Sequence, residues 1–414
     1  MKTNNRWAWK TMLLIAIITT GFTSCKDDDT ETTINDGDEK ESAWVQNYSI
    51  EYPEGHVFYL IASEEPLTTI DISQGLELGS DVSTWFFEEY VYTIASSSAT
   101  ITKWSVDKVT LEFKTESVLS YASTGISATR SLVFLSETQA FLADLEEGVV
   151  MEWNPTTMKI SNTYNVESAL NGASSGLSMW ATGYGFALNE KVAWPVCYAQ
   201  YTCCENLFPQ GGSTLGVFDP SSGSITYEQD NRILNAGYWP LTDINGNRFI
   251  QPNTENGFYY NYYDIDSSKY GSPYTLLKID AEGNFDPSFE FNFSDVVPVT
   301  YGSNVVFAYK NQLVLEYDEV AWPDAYDDAW NWWGDESVSH TVLIDLASKA
   351  VEPYSALEGY RRILFRGNFD GINYYSGFIK ANDKAVILKQ NSVNDFTIVS
   401  TLDGGIIQNI GKLW

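Results

Sequence analysis

The chain has 414 residues, a formal charge of −31 and an aromatic content of 15%. So acidic a balance excludes nucleic-acid binding, which needs clustered Lys and Arg to displace counterions from phosphate. The self-repulsion of 55 carboxylates keeps a protein soluble, and that accounts for most of them without giving them a chemical task.

At the N-terminus, Lys2, Arg6 and Lys10 precede an apolar stretch over residues 12–18, and Phe22-Thr23-Ser24-Cys25 follows. This reads as a secretory signal over residues 1–24, too short for the roughly 20 apolar residues that a bilayer span requires. The segment resembles a bacterial lipoprotein signal, which implies that Cys25 is lipidated and that the membrane is reached through the lipid anchor alone. Residues 25–43 open with Lys26-Asp27-Asp28-Asp29 and stay rich in Asp, Glu and Thr, too polar to offset the entropy of ordering, so a flexible acidic tether is expected. The Cys-Lys-Asp-Asp start also resembles the export signal of Bacteroidota surface lipoproteins, which implies the outer membrane, facing the cell exterior. Removing Lys2, Arg6 and Lys10 with the signal takes the net charge to −34.

From residue 45 to 402 the chain repeats a hairpin unit seven times. The third strand of each unit ends on an apolar residue followed by Asp or Asn, then a turn and a return strand. Clear copies are Ile70-Asp71, Val106-Asp107, Trp153-Asn154, Phe218-Asp219, Ile279-Asp280 and Ile344-Asp345, with a degenerate seventh at Leu388 to Asp395. A repeat that cannot bury its own apolar face must stack on its neighbours, so an all-β, seven-bladed β-propeller over residues 44–414 is expected. Strands are expected at 56–62, 90–95, 131–135, 304–309 and 385–389, with polar turns at 136–139, 189–191, 243–247, 310–311 and 368–371. No long amphipathic helix is evident. Either residues 45–52 or residues 406–413 could supply the strand that closes the ring.

Successive marks lie 36, 47, 65, 61, 65 and about 45 residues apart, whereas a four-stranded blade needs about 40–45. The surplus of the three long intervals falls between second and third strands, at 197–212, 254–274 and 321–339. In a propeller those connections share one rim with the links between blades. The last carries Trp322, Trp330, Trp332 and Trp333 among acidic residues, and the middle one Tyr259, Tyr260, Tyr262 and Tyr263. Such rings either pack among themselves or stack on a ligand. Four of the six arginines beyond the signal, Arg130, Arg232, Arg361 and Arg362, fall in interblade links. Gathered at the channel mouth they would suit a carboxylate, phosphate or catecholate; the alternative is ordinary ion pairing.

Other chemistry is poorly supplied. Cys197, Cys203 and Cys204 are candidates for one disulfide with one thiol left over, as expected outside the cell. With His56 and His340 as the only histidines, neither an imidazole metal centre nor a Ser-His-Asp triad has material. Asp243-Ile244-Asn245-Gly246-Asn247 lacks the distal Glu of a calcium loop and reads as a hairpin turn. No metal, no cofactor and no catalytic residue is expected.

The lipoprotein start, the tether and the repeat, including Phe218-Asp219-Pro220-Ser221-Ser222-Gly223, together resemble a Bacteroidota family of propeller lipoproteins that includes xenosiderophore-binding members. The resemblance implies capture of a small ligand such as a ferric siderophore and its delivery to a TonB-dependent receptor. The alternatives are a polysaccharide-binding or polysaccharide-degrading propeller and a scaffold that docks a receptor by its aromatic rim.

Overall fold

The computed structural model describes residues 38–52, 55–127, 131–172, 178–202, 206–209, 212–233, 236–243, 246–253, 271–300, 302–309, 311–319 and 339–414. Glu39–Trp414 forms one compact unit. Seven antiparallel sheets follow in chain order. Blades 1 to 6 span 82–120, 133–165, 178–230, 236–292, 303–353 and 360–402. Blade 7 is composite: Gly405–Lys412 pairs with Trp44–Tyr52, followed outward by Gly55–Ser63 and Leu76–Gly79. The fold is the expected seven-bladed β-propeller. Both candidate closing segments take part, the C-terminal one as the inner strand and the N-terminal one as its neighbour.

The first strand of each blade is innermost. Tyr360–Phe369 lies between Ser303–Tyr309 and Gly405–Lys412, which in turn meets Val82–Phe87. The last approach is close: a Cβ on Gly411 would fall 2.3 Å from the Phe86 ring. Buried Gln46 ties blade 7 to blade 6, donating to Ser400 Oγ at 2.7 Å while its carbonyl accepts from Leu67 N at 2.9 Å.

Seven apolar clusters are distributed one to each gap between neighbouring blades. Strands that are buried on both faces read as continuous apolar runs, with alternate residues serving opposite gaps. Thus Ile387 packs toward blade 7 while Val386 and Leu388 pack toward blade 5. In the same way Ala140 and Leu142 face blade 1, and Phe141 and Ala143 face blade 3.

The Asp or Asn of the repeat is a turn cap. Asp107 Oδ1 accepts from Val109 N and Thr110 N, Asn154 Oδ1 from Thr157 N, Asp219 Oδ1 from Ser221 N, and Asp345 Oδ1 from Ala347 N and Ser348 N. Each side chain replaces a backbone acceptor in the turn. The first copy departs from the pattern. Ile70-Asp71 lies beyond its strand, which ends at Ser63, and Asp71 caps the short 3-10 turn Ile72–Gln74. The turn at 243–247 is also a hairpin, with Asp243 accepting from Asn247 N and Nδ2 at 2.8 Å. Among the described residues the only helical pieces are 3-10 turns of three or four residues, and no helix is long and apolar enough to cross a membrane.

Two expectations are modified. The Cys-bearing surplus in blade 3 includes ordered strand, because Lys191–Thr202 runs on and turns back as Asn206–Pro209. Its Tyr, Thr, Leu and Phe content favours strand over loop. The end of the expected tether is also docked: Lys40 N donates to Lys108 O at 2.8 Å and Lys40 Nζ pairs with Glu64 at 2.6 Å.

The hydrogen bonds that these turns donate hold the carboxyls of Asp71, Asp107, Asp219 and Asp345 below their ordinary range. A carboxyl lowered on folding contributes stability above its unfolded value and loses that contribution as pH falls through the folded one. Thermal melts between about pH 5 and 3 should therefore show a falling Tm. Asn at all four positions keeps the acceptors, as Asn154 demonstrates, and should flatten that fall; an unchanged slope would refute the assignment.

Candidate functional site

The channel mouth is organised by a buried carboxylate. Glu316, 6% exposed near the end of Gln312–Asp318, accepts from the backbone N–H of Arg362 and of Ile363 (2.8 Å) and from Ser339 Oγ (3.1 Å). It thereby holds a bulge at the start of Tyr360–Phe369, where pairing with the next strand skips from Arg361 to Leu364. Arg362 sits there at φ +52°, a left-handed conformation that costs a non-glycine residue about 1–2 kcal/mol. The bulge sends two consecutive arginines in different directions. Arg361 is 5% exposed and pairs with Asp383, whereas Arg362 lines the channel. Both guanidinium groups lie near the Phe378 ring, at 5.7 and 6.0 Å from its centroid.

Asp318 is two residues beyond Glu316 on the same strand face. Burial pushes its carboxyl up to about 7, the charge of Glu316 adds to the shift, and Arg362 opposes it. Burial also raises Glu316 against its three hydrogen bonds. Lys380 closes the cluster, donating to Ser339 O at 2.7 Å.

Further down the channel stands Arg366, four residues after Arg362. Its Nε donates to Ser376 Oγ at 2.6 Å, and no carboxylate among the described residues forms an ion pair with it. It is enclosed by the ring yet reached by channel water, and desolvation brings its pKa down to about 10, so it remains cationic at neutral pH. Arg362 and Arg366 share the wall of a cavity of about 450 Å³ with Trp85, Thr84, Tyr184 and Asn409. Tyr184 reaches it because the inner strand of blade 3 is broken between Ser178–Thr182 and Phe186–Leu188. Gly185 permits the break, since a Cβ there would fall 2.3 Å from Trp194 Nε1.

Among the described residues singled out from sequence, Arg362 alone lines this cavity. Arg232 is turned to the outside of the ring: it chelates Asp230 through Nε and Nη2 and donates to the carbonyls of Phe289 and Asp286, on the outermost strand of the next blade. This is the ion pairing weighed as its alternative, and it places Arg232 away from the channel. Arg130, Tyr259, Tyr260, Tyr262, Tyr263, Trp322, Trp330, Trp332 and Trp333 lie outside the described residues, as do Cys25, Cys203 and Cys204. Cys197 falls within the strand Lys191–Thr202. Sequence reasoning missed Arg366, Glu316 and Asp318. The spacing Arg362, Leu364, Arg366 was the available signal for the first, since alternate strand residues share a face.

No family model matches the chain, and no curated protein is similar to it in sequence. Solved structures similar to it include the periplasmic gluconolactonase of Pseudomonas aeruginosa, with 9% identity, 90% of this chain and 99% of that chain covered, and a TM-score of 0.45. The β-propeller domain of the trilobed protease from Pyrococcus furiosus gives 9% identity, 88% and 94% coverage and 0.44. Apo AztD from Citrobacter koseri gives 11%, 90%, 98% and 0.37. At such values none of them assigns a ligand or a reaction to this chain.

Glu316→Ala should leave two buried N–H groups without an acceptor and cost about 2–5 kcal/mol in denaturant unfolding; a loss below about 1 kcal/mol would remove Glu316 from its organising role. Asp318 behaves oppositely to the turn aspartates. Its carboxyl titrates higher in the fold than in the unfolded chain, so its contribution is full below about pH 4 and is lost as pH rises through about 7. Asp318→Asn should raise Tm at about pH 8 and change it little at about pH 4.5, and equal effects at both would refute the shift.

Proposed function

We propose that this chain is a lipid-anchored surface protein that captures a small anionic ligand at the channel mouth and passes it to a TonB-dependent receptor. A ferric siderophore is the ligand class implied by the family that the sequence resembles. One observation carries the binding half of this reading. The connection bearing Trp322, Trp330, Trp332 and Trp333 leaves the ring at Asp318 and returns at Ser339, and both ends belong to the cluster around Arg362. A cation inside the channel and an aromatic-rich segment anchored beside it offer charge and stacking to one ligand. Binding rather than bond-breaking is the better supported role, because the two carboxyls beside the mouth are occupied with backbone and neighbouring charges. Anchoring rests on the signal that ends at Cys25, and transfer to a receptor on the family resemblance alone.

Tryptophan fluorescence titration with a ferric tris-catecholate siderophore tests the capture step. The unmodified chain should quench saturably, and Arg362→Ala should weaken binding by roughly tenfold or more if the guanidinium holds the anion in a desolvated mouth. Affinity unchanged in Arg362→Ala, or absence of saturable quenching, would overturn the reading.

A further inference from the structure

We propose a second, inner binding site around Arg366 that takes one small carboxylate with a ring-shaped apolar body. The inference extends the capture function and rests on its premise that the channel admits a ligand, but it concerns a different residue and a smaller molecule.

Arg366 carries five N–H donors, and the described protein satisfies one of them, through Ser376 Oγ. Arg366 is partly exposed to the channel, so its remaining donors are open to an acceptor that enters from solvent. Most other cations of this chain that touch a carboxylate do so at the surface, as Lys349 does with Asp295 and Lys384 with Asp403. Like Arg248, Lys159 and Lys389, Arg366 forms no ion pair with a described carboxylate, but it alone of these lines the channel cavity. Thr84, on the same wall, has a buried Oγ1 with no hydrogen-bond partner among the described residues.

The chemistry of the lining selects the ligand class. One guanidinium among neutral donors balances one negative charge, which favours a carboxylate over a phosphate dianion, and the planar fork matches the planar anion bidentately. Trp85 and Tyr184 form an aromatic pair with centroids 6.4 Å apart on the same cavity, and Phe365, 48% exposed, presents its ring to the channel. These surfaces suit a flat apolar body. A cavity of about 450 Å³ has room for one or two rings. Arg366 lies four residues beyond Arg362 on the same strand, past the bulge, so a carboxylate held on Arg366 sits at the other end of the shared cavity wall from the mouth.

Titration calorimetry of the full-length chain with benzoate and with its neutral isostere benzamide decides the matter without any substitution. Benzoate should bind one to one at millimolar concentration or better, and benzamide roughly tenfold or more weakly. Arg366→Gln should bring benzoate down to the level of benzamide, Arg366→Lys should retain part of the difference, and the binding of a ferric tris-catecholate should persist in both. Equal affinity for the two probes, or no benzoate uptake at all, would overturn the inner site, the second outcome leaving water as the occupant of the fork. Benzoate binding without siderophore binding would instead overturn the mouth reading and leave the inner site standing.

Discussion

Everything in this protein follows from sheets that are apolar on both faces. A strand such as Ala385–Ser392 sends Ile387 one way and Val386 and Leu388 the other, so a blade with only one neighbour would leave half of its apolar residues in water. At roughly 1.5–3 kcal/mol for each large apolar side chain, that exposure exceeds the whole stability of an ordinary domain. The array has to close on itself. Closure is made by Gly405–Lys412 entering as the inner strand of a sheet whose other three strands come from the opposite end of the sequence. A circular array has an axis, and inner strands that must pass that axis place their side chains in a channel. The cavity that holds Arg362 and Arg366 is therefore a geometric consequence of burying the blades.

How much of this could be read in advance depended on how local the deciding interaction was. Asp107, Asp219 and Asp345 were legible because a carboxylate capping a turn bonds to residues two or three positions away, so the spacing itself encodes the contact. Ile70-Asp71 wears the same dipeptide and caps a 3-10 turn, since the cap needs only the local turn and not the strand before it. Arg232 and Arg366 were not distinguishable on the same basis. One is fixed by carbonyls more than fifty residues away and the other by the absence of any acid on the facing strands. Position in an interblade link told little, because a link borders both the mouth and the outer edge of the next blade. The Cys-bearing surplus was misjudged for another reason: length reveals that residues leave the blade plan but not whether they pair after leaving it.

The two groups of carboxyls in this acidic chain are set apart by solvent. Turn aspartates stay in water and receive backbone N–H groups, so their charged form is favoured in the fold. Asp318 and Glu316 lose water, and their charged form is disfavoured even where hydrogen bonds are good. Retaining Glu316 in so unfavourable a place is explained by what it holds. Two backbone donors freed by a bulge need an acceptor, and a carboxylate can serve both with separate oxygens. The strained conformation of Arg362 is the other half of that arrangement, because the bulge that Glu316 satisfies is what turns this side chain into the channel.

Against a net charge of −31, a cation in the channel acts at close range rather than by steering. The far field of the molecule repels anions, and salt screens it within about 8–10 Å, whereas the walls of the channel exclude most of that screening from the guanidinium. An anion that reaches the mouth passes from a weakly repulsive exterior into a region where Arg362 and Arg366 dominate. On the proposed reading, such a profile would favour anions whose apolar surface contributes binding of its own. The aromatic lining beside Arg366 would supply that contribution for a ligand of the proposed kind, charge and stacking adding to one another.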